Sequence, residues 1–139
     1  MKRNLNLIMT LFTAIIAVTA CAEDETKATA KFNTLKCIGT EPFWSLDLKG
    51  QDITLEDLDS ARGSFKLSKA IASSNHTNRW FLTADGSKQK GSKRKDSLSL
   101  ALFKTNQCSD DMSDFSYEYD VIISTPDAQV LSGCCNRIM

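Results

Sequence analysis

Residues 44–55 read Trp-Ser-Leu-Asp-Leu-Lys-Gly-Gln-Asp-Ile-Thr-Leu, and this stretch decides the fold class. Apolar side chains at positions 44, 46 and 48 alternate with polar ones, and the alternation resumes at positions 53 and 55. A period of two is typical of a strand with one buried face, and the Gly50-Gln51-Asp52 stretch between the two segments is typical of a turn. The stretch therefore predicts a β-hairpin whose Trp44 side faces the core.

Similar strand-like segments recur along the rest of the chain, at residues 31–38, 64–68, 80–83, 97–102, 115–123 and 129–135. Helical character is confined to residues 55–61, which we interpret as a turn or a single helical turn. Short strands at even spacing are typical of sandwiches and barrels, and a closed barrel also removes exposed sheet edges. We therefore expect an all-β fold, a small antiparallel barrel or barrel-like meander of about eight strands.

The start of the chain has the layout of a secretory signal peptide. Lys2 and Arg3 precede a mostly apolar run over residues 5–20, which ends directly before Cys21. A cysteine directly after the cleavage point resembles the lipobox of bacterial lipoproteins, and the resemblance implies that Cys21 is lipidated. The alternative is an uncleaved transmembrane helix, but the run is short for one and is interrupted by Asn and Thr residues.

This interpretation divides the chain into three parts. Residues 1–20 are a lipoprotein signal peptide, residues 21–30 are the lipidated cysteine and a polar tether, and residues 31–139 are a single β-barrel domain. Two or more acyl chains anchor a protein stably in a lipid bilayer. We expect a protein of the bacterial cell envelope on the outer membrane, facing the periplasm, because Ala22 and Glu23 lack the Asp that resembles an inner-membrane retention signal. The inner membrane stays open as the alternative.

The overall charge is balanced, with 17 basic and 17 acidic residues, and removal of the signal peptide leaves a small negative excess. Such a balance gives no general attraction to nucleic acid. Five cations nevertheless cluster in one loop. This loop is either a solvated hairpin tip or a contact for an envelope protein or an anionic glycan or lipid. Its cations are Lys88, Lys90, Lys93, Arg94 and Lys95.

Four cysteines remain once Cys21 is lipidated, and an even number in an exported domain predicts two disulfides. A metal site is the alternative, but the chain has no Cys-x-x-Cys pair and a single histidine. A bond between the adjacent Cys134 and Cys135 would be strained, and on a strand their side chains point to opposite faces. Each must then find its own partner. We favour Cys108 with Cys134 and Cys37 with Cys135, and the swapped pairing stays open.

Three segments stand out as candidates for function, residues 39–46, 108–114 and 131–135. In residues 39–44, Pro42 cannot donate a ladder hydrogen bond and is expected to open a strand or mark a bulge. Glu41, before it, is expected to be held by hydrogen bonds at the strand start, although a functional acid is the alternative. Residues 108–114, the acidic turn, read Cys-Ser-Asp-Asp-Met-Ser-Asp. Its aspartates form either a solvated turn or a Ca²⁺ site, and the spacing is not that of an EF-hand.

At these segments the chain resembles a family of uncharacterised bacterial envelope lipoproteins. The family signature is Gly-[Thr/Asn]-Glu-Pro-Phe-Trp, then a Cys-x-Asp-x-Met-Ser-Asp turn, a Tyr-bearing strand and a closing Gly-Cys. Here these are residues 39–44, 108–114, Tyr117 with Tyr119, and 133–134. Asp111 departs from the family, which usually has Gly there. The resemblance implies a small barrel related to the META-type and lysozyme-inhibitor-type barrels, and it carries no established activity.

We therefore expect a non-catalytic binding or stabilising domain on a membrane anchor, with no cofactor and no nucleic-acid partner. No nucleophile motif, phosphate loop or dinucleotide fingerprint points to an enzyme. A lysozyme-inhibitor-like protein is one alternative, and a thiol-redox or metal-handling domain that uses Cys134, Cys135 and Met112 is another. The candidate binding residues are Glu41, Pro42, Phe43, Trp44, Asp110, Met112, Ser113 and Asp114.

Overall fold

The fold is a closed antiparallel barrel of eight strands. A computed structural model describes residues 32–57, 61–86 and 96–138, without the side chains of residues 61 and 62. Each strand pairs with the next one along the chain, and the last strand pairs with the first, which confirms the expected fold. The strands are β1 (Thr34–Thr40), β2 (Phe43–Lys49), β3 (Asp52–Asp57), β4 (Ala61–Ala72), β5 (Arg79–Gly86), β6 (Ser97–Ser109), β7 (Ser116–Ser124) and β8 (Val130–Arg137).

Several sequence-based predictions concern residues outside these ranges. The signal peptide, the lipidated Cys21, the tether and the five cations of the basic loop all lie there. Within the described ranges, no helix has the length and apolar character needed to cross a membrane. The anchor and the basic loop therefore stay predictions.

The hairpin that decides the fold class forms as expected. Lys49 pairs with Asp52 across a tight turn, and Gly50 in that turn has a φ of 63°, which glycine adopts without steric cost. Along β2 the buried positions are Trp44, Leu46 and Leu48, and the residues between them are half-buried or exposed. The alternation in the sequence thus marks the inner face of the barrel correctly.

The barrel interior is filled by the apolar side chains of these alternating positions. Burial of one such side chain contributes about 1.5–3 kcal/mol, so this interior is the main source of stability. Its members are Phe32, Leu35, Cys37, Trp44, Leu46, Leu48, Ile53, Leu55, Phe65, Leu67, Ala70, Leu82, Ala84, Leu98, Leu100, Leu102, Tyr119, Val121, Ile123, Leu131 and Cys135.

The expected helical turn over residues 55–61 is wrong where the structure describes it. Strand β3 continues through Asp57, and β4 begins at Ala61. Leu55 points into the barrel and pairs with Gly63, and the register then shifts by a bulge between Leu55 and Glu56. The bulge ends the alternation of apolar and polar residues at Glu56. Without that alternation, the sequence of this segment resembles a turn of helix.

Candidate functional site

Two disulfides link the strands around the candidate site. Cys37 on β1 is bonded to Cys135 on β8, inside the barrel, and joins strands 98 residues apart in sequence. Cys108 is bonded to Cys134, which lies on the opposite face of β8. This is the favoured pairing, and the opposed faces of Cys134 and Cys135 explain it. All four cysteines are buried.

The second disulfide shows that the end of β6, with the turn that follows it, folds back over the outside of the barrel. Strands β6 and β8 both pair with β7, so they are not neighbours in the sheet. Cys108 and Cys134 are nevertheless bonded, and the sulfur of Cys108 lies 3.5 Å from the carbonyl oxygen of Gly133. A register shift between Lys104 and Cys108, where Asn106 has a φ of 56°, redirects the end of β6. The acidic turn therefore lies against the outer wall of the barrel.

The carboxylate of Asp110 organises the acidic turn. It accepts hydrogen bonds from the backbone N–H of Met112 at 3.1 Å and of Ser113 at 2.9 Å, and from the Ser113 hydroxyl. The hydroxyl of Tyr117 donates a further bond to it at 2.9 Å. Among the described residues, no group of three or more His, Cys, Asp or Glu side chains is arranged to hold a metal ion. Asp110 thus has a structural role in the turn.

The pKa values of the two ionisable groups that meet in the turn, Asp110 and Tyr117, are both shifted. The hydrogen bond from the Met112 N–H is the largest cause that lowers the pKa of Asp110, and the bonds from Tyr117 and Ser113 act in the same direction. Desolvation, followed by the contact with Asp110, raises the pKa of Tyr117. Asp110 is therefore ionised and Tyr117 neutral at physiological pH, the charge states that suit a hydroxyl donating to a carboxylate.

Asp111 adopts a backbone conformation that also suits glycine, the usual residue here in the family that the sequence resembles. Its φ is 57°, which lies in the left-handed region. Glycine enters this region freely, and aspartate is one of the few other residues that tolerate it. The backbone N–H of Asp111 donates to the hydroxyl of Ser109 at 3.1 Å. The departure from the signature therefore leaves the geometry of the turn intact.

Trp44 joins two of the signature segments. It is 4% exposed, as the alternation predicts, and it pairs with Gly39 across the β1–β2 hairpin. A Cβ on Gly39 would lie 2.0 Å from the indole Nε1, and a Cβ on Gly133 would lie 2.7 Å from the indole Cζ2. The ring therefore needs glycine at both positions. The first and last signature segments are parts of one packing unit.

The structure corrects the expectation for Glu41. Glu41 and Pro42 form the turn between β1 and β2, joined by a cis peptide bond, and Phe43 opens β2. The Glu41 side chain is exposed, and no described residue forms a hydrogen bond or ion pair with it. It is therefore not held at a strand start, because the turn directs it into solvent. Pro42 precedes the strand, where it disturbs no ladder hydrogen bond.

Two cavities flank the acidic turn and bring the signature residues together. The first, which we name the hairpin groove, has a volume of about 410 Å³ and lies between the turn and the β1–β2 hairpin. Ile38, Phe43, Trp44 and Met112 supply its apolar side chains. Phe43 is 44% exposed and Met112 67% exposed, so the groove is open to a partner. The second, the wall cavity of about 320 Å³, lies between the turn and the outer faces of the strands behind it.

The remaining candidates lie around the groove without lining it. Ser113 forms hydrogen bonds within the turn, and Asp114 is an exposed residue near its end. Sequence reasoning missed Glu56 and Asp57, which line the hairpin groove. The signal was present, because a two-residue turn after Lys49 fixes the register of β2 and β3 and thereby places Glu56 opposite Ser45.

Comparison of the chain with models of protein families, with curated proteins and with solved structures gave no match in any of the three. The geometry of the site is therefore the basis for the functional proposal.

Proposed function

We propose that this protein is a lipid-anchored binding protein of the bacterial cell envelope and that the hairpin groove is its binding surface. Cys21 would hold the barrel at the membrane, and the groove would contact a partner without catalysing a reaction. One observation carries the proposal: signature segments that lie far apart in sequence meet around the groove.

The exposed apolar side chains support a binding role over a purely structural one. Phe43 and Met112 belong to segments that are otherwise fixed by tight packing and hydrogen bonds, yet both present large apolar surfaces to solvent. Rigid elements that display exposed apolar side chains are characteristic of interaction sites. The redox alternative needs reactive thiols, whereas all four cysteines in the described residues are buried in disulfides.

Photo-crosslinking in living cells tests the binding surface. We would place p-benzoylphenylalanine at Phe43 or at Met112 in the full chain and irradiate the cells. The matched control is the same substitution at Phe81, which is 47% exposed and lies on β5 outside the residues that line the groove. We expect discrete adducts from the two groove positions and none from Phe81. Identical adducts from all three positions, or none from any, would contradict the proposal.

The anchor is tested separately by metabolic labelling with a clickable fatty acid. We expect the parent chain to incorporate the label and Cys21→Ser to lose it. Label that persists in the variant would show that Cys21 is not the lipidation site.

A further inference from the structure

The described residues that line the hairpin groove carry charge of only one sign. Glu56, Asp57 and Asp110 are its ionisable residues, and none of the described residues that line it is a Lys, Arg or His. The wall cavity on the other side of the turn adds Asp111 and Asp120, again without a cation among its described lining residues. The whole chain is electrically balanced, so this local excess of carboxylates is a property of the site.

Two carboxylates elsewhere on the barrel lie in ion pairs with basic neighbours. Asp52 contacts Lys66, and Glu118 contacts both Arg137 and Lys104. Glu56, in contrast, is exposed at the edge of the groove, and no described residue forms an ion pair with it. Its charge therefore acts on whatever enters the groove. An apolar floor beside it strengthens that effect, because apolar surface excludes water from the contact.

The barrel geometry restricts how a partner can bind. A closed sheet has no unpaired edge, so a peptide cannot bind by adding a strand. Recognition must then come from side chains that match the groove, with apolar groups on Phe43 and Met112 and positive charge beside Glu56. Anionic glycans and lipid phosphates carry the wrong charge for this surface.

We propose that the hairpin groove binds an extended cationic segment of a partner protein, one in which Lys or Arg alternates with apolar residues. This inference rests on the proposed function and names the class of partner. Alternation suits the groove because an extended peptide directs successive side chains to opposite sides. One apolar side chain would contact Phe43 and Met112, and a neighbouring cation would lie beside Glu56 and Asp110.

Three fluorescein-labelled hexapeptides test the proposal against the full chain in a non-ionic detergent, with anisotropy as the measurement. One alternates Lys and Leu, one alternates Glu and Leu, and one alternates Lys and Ser. We expect the Lys–Leu peptide to bind at least about ten-fold more tightly than the other two, because only it supplies both apolar contact and complementary charge. Its affinity should fall as sodium chloride is raised, since salt screens exposed charges.

Matched variants locate the binding in the groove. Glu56→Gln should weaken binding of the Lys–Leu peptide about three-fold, while Asp52→Asn, which removes an exposed charge from the other end of the same strand, should leave it unchanged. Met112→Ala should weaken it too, whereas Val130→Ala should not, although Val130 is 71% exposed. The substituted side chains are exposed, so each variant is expected to fold.

The peptide and crosslinking results together distinguish failure of the cationic-segment proposal from failure of the proposed binding function. Equal binding of the Glu–Leu peptide, equal effects of Glu56→Gln and Asp52→Asn, or no peptide binding at all would overturn the cationic-segment proposal. If adducts at Phe43 persist in cells under any of these results, the groove still binds a partner, of another class. If those adducts are absent, the binding function itself is wrong.

Discussion

Trp44 packs against Gly39 and Gly133, so substitutions at Trp44 and Gly39 should have non-additive effects on the free energy of unfolding. Trp44→Ala removes a buried aromatic side chain, so we expect the free energy of unfolding to fall by about 3–5 kcal/mol. Gly39→Ala inserts a Cβ that would lie 2.0 Å from the indole Nε1, 2.4 Å from its Cε2 and 2.8 Å from the carbonyl oxygen of Ser132. Overpacking of this kind costs about 1–3 kcal/mol.

The two substitutions should not add. In the Trp44→Ala background the two closest contacts of the new Cβ disappear, and of its three nearest atoms only the carbonyl oxygen of Ser132 remains. We therefore expect the double variant to be about 1–2 kcal/mol more stable than the sum of the single effects predicts, within the range of coupling between contacting residues. If Trp44→Ala leaves too little folded protein to measure, Trp44→Phe serves in the same cycle, because it also removes the indole nitrogen.

The assay is urea unfolding of the full chain under non-reducing conditions, followed by far-ultraviolet circular dichroism. Gly50→Ala is the control, because Gly50 has a φ of 63° and an added Cβ would meet nothing within 4 Å. Its cost comes from backbone strain, about 1–2 kcal/mol, and should add to that of Trp44→Ala. Additive effects of Gly39→Ala and Trp44→Ala would refute the packing described here.

Three further predictions concern the acidic turn and the core. Asp111→Gly should be about 1–2 kcal/mol more stable in urea unfolding than Asp111→Ala, because the φ of 57° strains alanine; equal stability would contradict this. Tyr119→Phe should raise the free energy of unfolding by up to about 1 kcal/mol, since the buried hydroxyl has no partner among the described residues, and a loss would show that it has one. The pKa of Asp110 is lowered on folding, so its stabilising effect is present above the unfolded value of about 3.8 and is lost as the pH falls through the lower folded value. Asp110→Asn should flatten this part of the acid-unfolding profile, and an unchanged profile would exclude that role.

The barrel could be predicted from the sequence because each strand is recognisable from the pattern of its own neighbouring residues. In β2, for example, Trp44, Leu46 and Leu48 alternate with polar residues, and the alternation alone identifies the inner face. A similar local fact, the opposite faces of Cys134 and Cys135, excluded a bond between these two residues and gave each a separate partner, while the choice between the two remaining pairings needed the structure. Both inferences use only the fact that successive side chains of a strand point to opposite faces.

The groove could not be predicted in the same way because it depends on where one connection goes. Asn106 redirects the end of β6, but nothing local in residues 105–114 says that this segment reaches β8, because a disulfide to a distant strand determines where it goes. The error at Glu41 has a related cause. The position of Pro42 correctly predicts that a strand begins at Phe43. The direction of the Glu41 side chain depends on the backbone dihedral angles of the turn, which the sequence pattern does not give.

The adjacent residues Phe43 and Trp44 show why the signature segment serves two purposes at once. Successive side chains of a strand point to opposite faces, so the pair must place one ring inside the barrel and one outside. Trp44 packs against two glycines inside the barrel, and this packing places Phe43 at the edge of the groove. The acidic turn repeats this division, because Asp110 orders the backbone that presents Met112. A rigid display of apolar side chains lowers the entropy lost on binding, and this links the stability of these segments to the function proposed for them.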